Sequence, residues 1–173
     1  MHKFISKTSL FALFVAALLA VNTATLMAQG QSGQHGKSQK QEKQKNKLNK
    51  DANKLAKTAE QTEKMLGRNA VFCILAAHTT DVGTAQELKT KYDSLDNFPF
   101  GQFVAAVLLA DRIDKPLDEI LLKLQAGKSL GEITQEYGVD ISEVRQHFGE
   151  FRSELAHSQT NPPTRDCFAT SGS

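Results

Sequence analysis

Between residues 98 and 155 the chain is cut into short amphipathic segments by glycine, proline and capping residues, and this punctuation permits little other than a set of packed helices. Leu117, Ile120, Leu121 and Leu124 recur at i, i+3, i+4, i+7 and form one apolar stripe. Pro116 suits a first helical turn, where its missing N–H costs little. Asp114 stands where it could accept from that turn, and Asp118 and Glu119 complement the helix dipole. Gly127 is placed to end the helix in the left-handed conformation. Ser129 and Glu132 have capping-box spacing for a second helix faced by Leu130, Ile133 and Tyr137, with Gly138 as its terminator. Ser142 is placed to cap a third, whose Val144, Phe148, Phe151 and Leu155 share a face. No stretch shows a sustained strand alternation. The expected fold is therefore all-α, a small multi-helix orthogonal bundle.

Upstream, residues 70–78 read as a buried helix and 85–95 as a short one. Phe98-Pro99 forces a break before residues 100–112, the most apolar helix of the set. Phe98, Phe100 and Phe103 are expected as core anchors, because aromatic rings supply so much buried area.

The N-terminal part has a different texture. Residues 1–28 read as a secretory signal peptide: His2, Lys3 and Lys7 precede an apolar core at 10–21, and Ala28 is a plausible last residue before cleavage. That core is short for a membrane span. An exported chain works in an oxidising space, periplasmic or extracellular. Residues 29–46 are rich in Gln, Lys, Ser and Gly, with almost nothing to bury, and are expected as a disordered basic linker. From residue 47 to 69 an amphipathic helical arm is expected, with Leu48, Ala52, Leu55, Ala59, Thr62 and Leu66 in steps of 4 and 3. The stripe is thin and would serve either as a helix lying on the domain or as the seam of a homodimer. The helical domain is placed at 70–157 and an irregular tail at 158–173.

Charge is segregated between these parts. Residues 29–69 hold ten basic and four acidic side chains, a net +6, and residues 70–173 hold nine and fifteen, a net −6. The candidate partner contacts are Lys37, Lys40, Lys43, Lys45, Lys47, Lys50, Lys54 and Lys57, which would suit a protein or anionic partner of the cell envelope. No aromatic residue interleaves them, so they offer no stacking platform for single-stranded nucleic acid. The two cysteines, Cys73 and Cys167, are expected to pair in an exported chain and to pin the tail to the 70–78 helix.

Ile133, Thr134, Gly138, Val139 and Val144 carry the apolar and glycine skeleton of a helix-turn-helix, and this stretch resembles the module of many bacterial regulators. Glycine-punctuated helix pairs of this kind are also similar to those of small exported bacterial proteins. The resemblance implies two packed helices, with Arg145 and Gln146 near base edges if the second helix read DNA. Charge opposes that use: residues 129–155 hold two basic and six acidic side chains, a net −4, and Glu143 stands at the start of the would-be recognition helix.

No phosphate-binding glycine loop, nucleophile elbow or metal-binding His/Glu helix occurs. Cys73 and His78 are five apart and do not share a helical face; His147 and His157 stand alone in the sequence. The cluster Asp111, Asp114, Asp118 and Glu119 is accounted for in part by helix-start duty. The expectation is a non-catalytic structural or interaction protein of the envelope, with no cofactor, metal or catalytic residue. The alternatives are a nucleic-acid-binding helix-turn-helix protein and a small-ligand-binding helical protein.

Overall fold

The computed structural model of the chain describes residues 34–162 together with Cys167 and Phe168. The signal-like segment 1–28, residues 29–33 and most of the tail lie outside the described residues. Among those described there are seven helices and no strand: α1 (Gln34–Leu66), α2 (Arg68–His78), α3 (Ala85–Asp93), α4 (Phe100–Ile113), α5 (Leu117–Gln125), α6 (Leu130–Glu136) and α7 (Ile141–Thr160). No helix among them is long and apolar enough to cross a membrane.

α4 is the central rod. Every residue from Phe103 to Ala110 is buried, as expected of a helix that is apolar all round. Phe72 of α2 meets Phe100 and Phe103 edge-on, with ring centroids 5.5 and 6.2 Å apart, and Tyr92 of α3 completes the cluster. Phe98 is half-buried, and its carbonyl accepts from the Tyr92 hydroxyl. The expectation of aromatic core anchors holds for Phe100 and Phe103.

The main correction concerns the N-terminal part. Helix begins at Gln34, so residues 34–46 are not a disordered linker. Lys, Gln and Glu are good helix formers, no proline interrupts the run, and extending a helix from a packed half is easy once that half is nucleated. The amphipathic helix expected from residue 47 is present and lies on the domain, the first of its two expected uses. Leu48, Leu55 and Ala59 are 0 % exposed, and the stripe is covered by α4 and α7 of the same chain. The domain thus starts in α1, not at residue 70, and the face that could have been a homodimer seam is occupied within the monomer. α1 and α7 run in the same direction: Arg145 Nε donates to Asp51 2.7 Å away, and further along both helices Gln159 donates to Thr62 at 2.8 Å. On its other flank α1 approaches α4 so closely that a Cβ on Gly101 would lie 2.6 Å from the Ala56 backbone.

α1 and α2 are parted at Gly67, whose φ of 86° suits glycine. The Ser129–Glu132 capping box is present, and Gly127 and Gly138 adopt positive φ. Two caps differ from expectation. Asp114 does not cap α5; it takes the left-handed conformation that ends α4, and α5 starts after Pro116 with no side-chain cap. α7 is capped by Asp140, which accepts from the Ser142 N–H, because the helix begins two residues earlier than a Ser142 cap would allow. Ile133, Val144, Phe148, Phe151 and Leu155 all face the core.

Candidate functional site

The buried stripe of α1 fixes what its opposite face presents. Lys40, Lys43, Lys47, Lys50, Lys54, Lys57 and Lys64 follow one another by 3, 4, 3, 4, 3 and 7 residues, and all are exposed. At 3.6 residues per turn this is a stripe about 36 Å long at 1.5 Å per residue, turning around the helix by about 20° per heptad. Lys54 lies 3.6 Å from Asp51, which is already engaged by Arg145; the other six form no ion pair among the described residues. Lys45 leaves the set. It sits off the line, is 20 % exposed, pairs with Glu42, and packs its stem against Gly131. The side chain of Lys37 lies outside the described residues. Lys64 escaped the sequence reading, although its place seven residues after Lys57 was a sufficient signal.

Elsewhere the cations are neutralised. Arg68 pairs with Glu63, Lys89 with Asp93, Lys91 with Asp118, and Arg112 with Glu143. Lys123 and Lys128 converge on Glu136 and hold its carboxyl down to about 2. Beyond α1, among described residues, Lys115 and Arg152 alone lack a carboxylate partner, and Lys115 lies over the Tyr137 ring. Surface ion pairs stabilise little, but they quench local potential. The unquenched positive charge is therefore concentrated on the outer face of α1.

The helix-turn-helix-like pair α6–α7 has no such freedom. Arg145, a candidate base reader, is held by Asp51, and Gln146 donates to Glu150 at 2.8 Å. The exposed N-terminal face of α7 shows Ser142, Glu143, Gln146 and Glu150.

Cys73 and Cys167 are joined in a disulfide that brings the tail to α2, with Cα atoms 5.7 Å apart. Phe168 beside it packs against the core. The acidic cluster proves to be distributed among structural duties. Asp111 accepts from the Thr80 N–H at 2.9 Å, Asp118 meets Lys91, and Glu119 accepts from the Tyr137 hydroxyl. Asp111, Asp114 and Asp118 line an open cleft of about 530 Å³ with Asp81, Lys91 and Leu117. No group of three or more His, Cys, Asp or Glu side chains among the described residues could hold a metal.

The two histidines that look isolated in sequence are stacked in space, with ring centroids 4.9 Å apart and Phe151 beside them. His78 Nδ1 bonds Glu154 at 2.8 Å, while His147 Nε2 lies 3.3 Å from Asp111 without a hydrogen bond. Burial, then the neighbouring His78, pushes His147 below the ordinary histidine value of 6.5; Asp111 and Glu150 oppose the shift and Arg112 adds to it. The sign follows. As pH falls through 6.5 the unfolded chain takes up a proton that the folded chain resists, so stability is full above that pH and declines below it. Thermal melts from about pH 7 down to about pH 5 are expected to show a falling Tm, and His147→Gln to flatten that slope. An unchanged slope in the variant would place the acid sensitivity in other groups.

These features define the class: an all-α protein with a helix-turn-helix-like helical module, whose first helix belongs to the core. A family model, the Polycomb repressive complex 2 tri-helical domain, matches residues 2–97, and the chain belongs to that family. The matched residues take in α1, α2 and α3, whereas the α6–α7 pair lies beyond them. No curated protein matches the chain, and no solved structure does.

Proposed function

We propose that this chain is an exported, non-catalytic helical protein that works by holding an anionic partner of the cell envelope against the lysine face of α1. The observation that carries the reading is the contrast in charge pairing among the described residues: six lysines in one stripe form no ion pair, whereas the other cations are nearly all matched. The signal-like leader supplies the compartment, and the absence of a catalytic motif in the sequence favours binding over chemistry. The test is fractionation of cells producing the untagged chain. It should be found outside the cytosol, retained by envelope material at low ionic strength and released at high salt. Recovery from the cytosolic fraction alone would overturn the reading.

A second reading, nucleic-acid binding, is favoured by membership of a family named for the Polycomb repressive complex 2. The α6–α7 pair is a poor candidate for that contact because its outer face is acidic, so the same lysines of α1 would have to meet the phosphates.

A further inference from the structure

We infer that the lysine face of α1 docks the protein flat on a membrane of anionic lipids, meeting headgroup phosphates without entering the acyl layer. This rests on the reading of α1 as the contact surface and goes on to name the partner.

Shape argues first. The face is convex and about 36 Å long, and Lys43, Lys47, Lys50, Lys54 and Lys57 fall within about 80° of arc, so these long side chains can reach one plane together. Duplex DNA completes about one turn in the same length, and each of its backbones passes beneath a straight line only about once. Composition argues second. Between the lysines stand Asn46, Asn53, Gln61 and a single exposed acid, Glu60, and α1 has no aromatic residue on which a base could stack. Helices that embed in the interface bury an apolar face there. α1 cannot do so, since Leu48, Ala52, Leu55 and Ala59 are committed to α4 and α7. Met65, 56 % exposed in the last turn, is the one large apolar side chain beside the lysines. Charge argues third. Residues 70–173 carry a net −6, which an anionic surface repels, so the molecule is oriented with α1 downward.

The test is co-sedimentation of the full chain with vesicles of phosphatidylcholine alone or mixed with phosphatidylglycerol, at low and high salt. Two fourfold variants are compared with the parent. One changes Lys43, Lys47, Lys50 and Lys54 to Gln. The other removes equal charge away from the face, at Lys89, Lys91, Lys115 and Lys128. Both keep the same leader, so any apolar attachment is common to them, and the readout is the salt-released, phosphatidylglycerol-dependent fraction. A lysine near such a surface is worth about fivefold in affinity, so the α1 variant should bind at least about 100-fold more weakly and the control should bind like the parent. Circular dichroism melts check that both variants fold.

Equal loss in the two variants, or equal binding to both vesicle types, overturns the inference. So does an α1-lysine-dependent shift of duplex DNA without vesicle binding, which would instead support the second reading. If envelope retention in cells still depends on the α1 lysines while vesicles fail to bind, the proposed function stands and the lipid partner falls.

Discussion

Leu55→Asp is expected to abolish cooperative folding. Leu55 is 0 % exposed in the middle of α1, between α4 and α7. Truncating a buried leucine costs about 2–5 kcal/mol, and an unpaired carboxylate in the same place adds several more. The sum reaches the whole stability of a typical domain, about 5–15 kcal/mol. Deleting α1 outright should have the same outcome, because it uncovers together the faces of α4 and α7 that pack against it. Thermal denaturation followed by far-ultraviolet circular dichroism should show a sloping, non-cooperative trace for both. A native-like melt after removal of residues 34–66 would restore the picture of a detachable arm, and with it the boundary at residue 70.

Separating Cys73 from Cys167 is expected to lower Tm by about 10–15 °C while leaving the helix content intact. The bond closes a loop of 94 residues. In the chain-entropy model a loop of that length restrains the unfolded state by up to about 4.7 kcal/mol, and a domain of this size loses about 2–4 °C per kcal/mol. Helix content should survive because Cys167 lies outside the seven helices and, among the described residues beyond α7, only Phe168 packs against the core. The check is a pair of melts with and without reductant, repeated on Cys73→Ser with Cys167→Ser, which should reproduce the reduced curve and no longer respond to reductant. Identical melts for oxidised and reduced protein would mean that the tail contributes nothing to stability.

Much of the fold after residue 98 was legible because its signals are local. A glycine that must take positive φ, as at Gly127 and Gly138, and a serine three residues before a glutamate, as at Ser129, leave the chain few choices. α1 was harder to read, since a run of Lys and Gln has the composition of a disordered segment. Its stripe of Leu and Ala is thin and suits either a helix on the domain or a dimer seam. Small side chains let helices approach closely, and the near contact of Ala56 with Gly101 shows what the alanines are for. That requirement lives in the partner helix and leaves no mark on local periodicity. The lysine line was visible as a heptad spacing, yet its freedom from ion pairs was not. Asp51 and Arg145 are 94 positions apart, and only the fold shows that they consume each other. The stacking of His78 on His147 escaped notice for the same reason.

The parallel pairing of the first helix with the last sets a timetable for biosynthesis. Until α7 has left the ribosome, the earliest helix made lacks the cover that α7 provides, and the core cannot close completely. A chain still being made therefore leaves the flank of α1 that α7 covers open to solvent until synthesis is nearly done.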